Sequence, residues 1–233
     1  MPSWNIHTAH VERLIDDGSL DDVGISHVDD FLFGNLVPDI YVGYMICNPS
    51  RKIAYRETHF ADPSIIPAPD ASLFYRQFVR GHDVDEVVLG AWTHLLCDHY
   101  YNLRTTRFID RIGVSAGEQT RIRKQADFDL FGRTLPIARI PRLTKRLVRC
   151  CEAFPQYPID EQDVRAAIAV QRGVVRRNQE EHVEGAPGYC LLTEEFFTKT
   201  YALVDAVLHE ALRRYSAGDD PSDLGSVSGL QVE

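Results

Sequence analysis

At 233 residues with a formal net charge of −9, the chain is long enough for one large domain or two small ones with a real core. An acidic excess of this size argues against non-specific binding to nucleic acid or to an anionic membrane surface, because both repel it. The 44% hydrophobic and 25% charged composition is ordinary for a globular protein, and no segment reaches the roughly 18 to 20 consecutive apolar residues of a membrane span. Met1-Pro2-Ser3-Trp4-Asn5 has no basic start and no apolar run, so no signal peptide is expected. The five cysteines are odd in number and lack CxxC spacing, which suits reduced thiols in a cytoplasmic protein.

The pattern along the chain reads as helix after helix. Ser3 is placed to cap a first helix through about Asp16, ended by Gly18, with His7, Val11 and Leu14 on one stripe. The apolar turn Phe31-Leu32-Phe33 leads into a long irregular stretch from Gly34 to Asp70, holding Pro38, Pro49, Pro63, Pro67 and Pro69. Long loops of this kind are uncommon and often functional. Asp70 then caps a helix carrying Leu73, Phe74 and Phe78, and Asp83, after His82, reads as a further cap. The proline-free run Asp85–Asn102 is apolar nearly all round and predicts a buried central helix.

Beyond it, Ser115-x-x-Glu118 has the spacing of a capping box for a helix towards Leu130. Pro141 is expected to open a basic helix with Arg142, Lys145, Arg146 and Arg149, Asp160 a long one to about Glu181, and Thr193 the last, to Tyr215. Phe197, Tyr201, Val204, Leu208, Ala211, Leu212 and Tyr215 form its core stripe. Strand signals are nearly absent. The expected architecture is a single all-α domain over residues 1–215, with a disordered tail over 216–233.

Within the central helix, His94 and Asp98 stand four apart and therefore share one face. A carboxylate is rarely buried unless it is paired or coordinates a metal. The bland alternative is a buried His–Asp hydrogen bond. His59, in Glu57-Thr58-His59-Phe60, and Asp39, after Pro38, lie in the long loop and can fold back over the helix.

Four segments in order carry a family likeness: Trp4 with His7, Phe31-Leu32-Phe33-Gly34-Asn35-Leu36-Val37-Pro38-Asp39, Thr58-His59-Phe60, and Gly90-Ala91-Trp92-Thr93-His94-Leu95-Leu96-Cys97-Asp98. Together they resemble the zinc-dependent phospholipase C family, particularly its small bacterial members. A more distant likeness is to the fungal zinc-dependent single-strand nucleases. The resemblance covers roughly the first 100 residues. It implies an all-helical fold and a metal site built from His7, Asp39, His59, His94 and Asp98, with Asp39 as ligand or base; His10 competes with His7 for the first position.

Two features depart from the family. Trp4 follows Met1-Pro2-Ser3 where the relatives have a free N-terminal tryptophan as a ligand. The later ligand group is also missing, since Arg104 stands six after Asp98, Ala186 four after His182, and Arg213 four after His209. One or two ions are therefore expected instead of three, zinc first, with manganese or iron also compatible with imidazole and carboxylate donors.

The reading is a metal-dependent phosphoester hydrolase acting on a small-molecule or lipid phosphoester, with a non-catalytic helical protein holding a structural metal as the alternative. Arg56 and Arg104 are candidates to hold the phosphate, and Arg104, Arg107 and Arg111 form a basic run beyond the central helix. His99 reads as a half-exposed or core-polar residue, and His27, His182 and His209 as surface residues. A P-loop, a dinucleotide fingerprint and a GxSxG elbow are all missing.

Overall fold

The computed structural model of the chain describes residues 2–61 and 68–225, and the regular structure in these residues is entirely helical. Helix α1 (Trp4–Asp16) stops before Gly18, whose φ of 82° takes the left-handed conformation that suits glycine after a helix end. Ser3 holds the N-cap position, yet its hydroxyl donates to the Asn5 side chain instead of accepting from the backbone. Short helices α2 (Ser19–Asp22) and α3 (Val28–Gly34) follow. The stretch expected to be irregular contains two single turns, α4 (Val37–Ile40) and α5 (Tyr55–Thr58). These turns place Asp39 and His59; Pro63 and Pro67 lie outside the described residues.

Asp70 caps α6 (Ala71–Phe74) as expected, its carboxylate accepting from the Leu73 N–H at 2.8 Å, and one π-helical turn, Tyr75–Val79, continues it. Helix α7 (Glu86–Arg111) is capped by Asp85, which accepts from Val87 and Val88 at 3.0 and 3.1 Å. The cap is therefore Asp85 and not Asp83, and the helix passes the expected Asn102 end. Its continuous burial stops near Leu103, and the helix continues to Arg111 as a partly exposed, amphipathic extension. Every residue from Val87 to Leu103 is buried, which makes α7 the centre of the molecule.

The second half supplies the surrounding layer: α8 (Glu118–Gly132), α9 (Lys145–Glu152), α10 (Glu161–Glu180) and α11 (Glu194–Ser216). The capping box at Ser115 does not form. Gly117 holds the N-cap, Ser115 uses its carbonyl to accept from Thr120, and Glu118 turns outward to Arg121. Helix α9 begins at Lys145, later than Pro141, because the Thr144 hydroxyl accepts from the Leu147 N–H at 3.0 Å. Asp160 sits at its expected cap position without a side-chain cap bond, whereas Thr193 accepts from Phe196 at 3.1 Å.

The tail from Ser216 was expected to be disordered, and for 221–225 this is corrected. A 3-10 turn, Ser222–Gly225, docks on α6 and α7. The Ser72 hydroxyl donates to the Ser222 carbonyl, and Tyr100 donates to the Leu224 carbonyl at 2.8 Å. Residues 226–233 lie outside the described residues.

One contact fixes the geometry that matters most. A Cβ added to Gly34 would sit 2.2 Å from the Val87 carbonyl oxygen, and one added to Gly90 would sit 2.2 Å from the Phe31 carbonyl oxygen. Helices α3 and α7 thus cross backbone against backbone, which glycine alone permits. The Asn35 side chain seals the crossing by donating to the Gly90 carbonyl at 3.3 Å and to Thr93 Oγ1 at 3.1 Å.

Candidate metal centre

The close crossing of α3 and α7 brings the Asn35 carbonyl to 2.8 Å from His94 Nδ1. A carbonyl can only accept, so Nδ1 carries the proton and Nε2 presents a bare lone pair. His59, at the end of α5, reaches the same state by another route. The Thr58 hydroxyl donates to the Tyr55 carbonyl at 3.3 Å and accepts from His59 Nδ1 at 2.7 Å. The two Nε2 atoms then face each other at 3.3 Å. Two lone pairs at that distance repel unless a positive charge lies between them.

Two carboxylates close the cluster. Asp98, one turn along α7 from His94, has Oδ1 3.2 Å from His7 Nε2 and Oδ2 3.6 Å from His59 Nε2 and 3.9 Å from His94 Nε2. Asp39, on α4, lies with Oδ1 3.6 Å from His59 Nε2, while its Oδ2 accepts from the Trp4 indole N–H at 3.0 Å. Tetrahedral ligands at about 2.05 Å from a zinc ion stand about 3.3 Å apart, and the spacings here bracket that value. The His7 ring stacks on His94 at 4.0 Å, and Tyr55 stacks on His59 at 4.0 Å, so both rings are held in place. The donor atoms of His7, His94 and Asp98, and those of Asp39, His59 and His94, lie within 4.8 Å of one another, so either group could hold a metal ion.

Burial sharpens the point. His59 and His94 are 0% exposed, His7 and Asp98 1%, and Asp39 7%. Two other buried carboxylates, Asp127 and Glu12, are satisfied by backbone donors. Asp127 accepts the N–H groups of Cys190, Leu191 and Leu192 at 2.7 to 2.8 Å, and Glu12 those of Ala138 and Arg139. Among the described residues Asp98 has no such backbone partner, and it meets three imidazole nitrogens and a long contact from the Tyr55 hydroxyl at 3.5 Å. Burial pushes the Asp98 and Asp39 carboxyls above their ordinary range. It holds His59 well below its ordinary value, with the neighbouring His94 and His7 adding to the effect, and lowers His94 as well. Neutral imidazoles are the form that binds metal.

Of the two early histidines, His7 is the one that joins the cluster. His10, also buried, points away: its Nε2 meets the Tyr101 hydroxyl at 3.3 Å, its Nδ1 lies 3.8 Å from Asp205, and its ring stacks on Tyr201. Neither candidate phosphate-holding arginine reaches the cluster. The Arg56 side chain is 68% exposed beside Glu57, and Arg104 donates to Thr200 Oγ1 at 3.0 Å on α11. With about 100° of turn per helical residue, Arg104 projects from the side of α7 away from Asp98. His99 is fully buried, the core-polar of its two expected settings, and hydrogen-bonds the Pro69 carbonyl through Nδ1 at 2.7 Å, which pins the end of the long loop. His27 and His182 are exposed and His209 is partly so.

Asn35, Tyr55 and Asn102 were not foreseen as parts of this centre. Asn35 orients His94 and Tyr55 walls His59, while Asn102 donates to the Tyr55 hydroxyl at 3.5 Å. Asn102 stands four after Asp98 on the same helical face, a spacing that could have pointed to it. Lys124 of α8 adds positive charge that Asp98 feels, and nothing in its sequence surroundings marks it.

Compared with known proteins, the chain matches no family model, no curated protein and no solved structure at a significant level.

Proposed function

We propose that this chain is a metal-dependent phosphoester hydrolase that holds its ion with His59, His94, Asp98 and His7 and uses Asp39 to handle the proton of the attacking water. The observation that carries the reading is the pair of imidazole lone pairs, fixed by Asn35 and Thr58, that face each other between two buried carboxylates. The likeness of the four segments to zinc-dependent phospholipase C supports the reaction class. Nitrogen and oxygen donors in this number suit zinc, with manganese and iron next. Both donor groups share His94, and one lone pair serves one ion, which favours a single ion at that nitrogen.

Held by His7, His59, His94 and Asp98, a divalent ion would supply a more acidic water, with a pKa towards about 7, and would favour charge developing on a phosphoryl oxygen. The protein's own groups do the rest. Trp4 fixes one oxygen of Asp39, leaving Oδ1 turned towards His59. The Asp39 side chain is 10% exposed, against 0 to 1% for those of His7, His59, His94 and Asp98, so its carboxylate is the one best placed to meet water. Thr58 and Asn35 keep the two imidazoles in one tautomer throughout. The substrate class is a phosphate mono- or diester, soluble or lipid.

One observation favours a structural metal instead: four of the five groups are at most 1% exposed, and none of the five lines the cleft of about 630 Å³ between α7 and α11. Turnover separates the readings. The full chain, purified without chelator, is assayed on p-nitrophenyl phosphate, bis(p-nitrophenyl) phosphate and phosphatidylcholine vesicles, before and after EDTA. The hydrolase reading expects chelator-sensitive release from at least one of these. Bound metal with no turnover on any of them establishes the structural reading.

A further inference from the structure

The far side of α7 carries a second feature, independent of the metal centre. Past Leu103 the helix turns a basic face towards α11, and Arg104, Arg107, Arg111 and Lys199 border a cleft of about 630 Å³. Small-molecule sites typically measure about 300 to 1,000 Å³. Its floor is apolar: Leu103 and Phe196 are buried, and Phe108 packs edge-on against Phe196 with ring centroids 5.2 Å apart.

The charge balance there is unusual for an acidic chain. Arg104, partly buried, spends its Nε on the neutral Thr200 hydroxyl at 3.0 Å. The Arg111 guanidinium lies 5.2 Å from the centre of the Phe108 ring. Glu195, the carboxylate bordering the cleft, is engaged by Lys199 at 2.6 Å. Burial, and after it the charges of Arg107 and Arg111, pull the Arg104 pKa down. Crowded guanidinium groups over an apolar floor are relieved by an incoming anion, which arginine can grip through two parallel hydrogen bonds.

We infer that this cleft binds an amphiphilic organic anion, its phosphate or carboxylate head held by Arg104 and Arg111 and its apolar body laid against Leu103, Phe108 and Phe196. The three-residue and four-residue steps between the arginines, which form the basic run beyond the central helix, are the spacing that lines one groove of a helix.

The test is titration calorimetry on the full chain after EDTA treatment, which removes the metal centre from the measurement. The titrants are hexyl phosphate, hexanoate, inorganic phosphate and 1-hexanol. At least one of the two amphiphilic anions is expected to bind one to one, with inorganic phosphate at least tenfold weaker and hexanol undetectable. The tighter of the two anions identifies the head group. Arg104→Gln is expected to weaken binding tenfold or more. Arg111→Gln, at an exposed position where folding is not at stake, is expected to weaken it severalfold with an unchanged melting temperature. The inference is overturned if neither amphiphilic anion binds, if hexanol binds as well as the anions, or if a folded Arg111→Gln protein binds exactly as the parent does.

Discussion

His7 and His10 stand three residues apart on α1, and their side chains serve different neighbourhoods. His7 faces Asp98 and stacks on His94, whereas His10 is held by Tyr101, Tyr201 and Asp205. A change at each of the five clustered residues should therefore be read by what it removes. Asp98→Ala deletes a proposed ligand from a rigid helix, and on the proposed function it is expected to abolish both metal content and hydrolysis. Asp39→Asn keeps the acceptor for the Trp4 indole but cannot take a proton. Since a general base typically contributes on the order of 10² to 10⁴ in rate, this variant should lose turnover by that factor while keeping its metal. Metal content and steady-state turnover on one active phosphoester check both. Turnover of Asp39→Asn within a few-fold of the parent at full metal occupancy removes Asp39 from the chemistry.

Helix by helix, the strongest sequence signals were those in which one segment decides its own state. The buried run of α7, the Asp70 and Thr193 caps and the His94/Asp98 pair depend on periodicity and local hydrogen bonding, and these were legible. The candidate ligands from α1, α4 and α5 came from the order of the four motifs and not from local chemistry. What the sequence hid was long-range. Gly34 and Gly90 reveal the α3–α7 crossing only when each meets the other helix's backbone. The Pro221–Gly225 segment has a tail-like composition, yet it is ordered by Ser72 and Tyr100, more than a hundred residues away. Arg104 was a plausible phosphate ligand on spacing alone, and the direction of its side chain was settled by α11.

The crossing carries a prediction of its own. Gly90→Ala places a methyl group against the Phe31 carbonyl, a backbone atom that cannot swing aside. Overpacking of this kind costs roughly 1 to 3 kcal/mol, set against a gain in helix propensity of up to about 1 kcal/mol. The variant should melt several degrees lower than the parent. Because the helices must part, the bond from His94 Nδ1 to the Asn35 carbonyl is lost, and loss of such a supporting bond typically weakens metal binding 10- to 100-fold. Thermal melts and a competitive chelator titration read the two effects. Unchanged values for both would show that the crossing tolerates a side chain.

Across the molecule, the two ends of the chain's helical order are tied by His209 of α11, which meets Asp17 at 2.9 Å through Nε2 and the Asp205 carbonyl at 2.8 Å through Nδ1. Burial acts to lower its pKa, but the Asp205 carbonyl bond and the Asp17 carboxylate together outweigh it, and the net shift is upward. Asp205 also faces Arg13 at 2.9 Å and His10 at 3.8 Å, so the acidic pocket is shared. A histidine whose folded pKa is raised contributes stability that is fully present below its unfolded value near 6.5 and fades as pH rises through the folded value. His209→Gln should therefore lower the melting temperature more at pH 5.5 than at pH 8.5. An equal loss at both pH values would show that the Asp17 contact carries no charge.

Metal content of the purified full chain, measured by mass spectrometry beside a His94→Ala/Asp98→Ala variant, puts the metal centre itself to the test. The parent is expected to carry about one transition-metal ion per chain, or to take up one added zinc, manganese or iron ion, with a rise in melting temperature as binding selects the folded state. The variant, folded by circular dichroism, should carry none and gain nothing from added metal. A parent chain that stays metal-free and melts at the same temperature with each of these ions would contradict the assignment of His7, Asp39, His59, His94 and Asp98 as a metal centre.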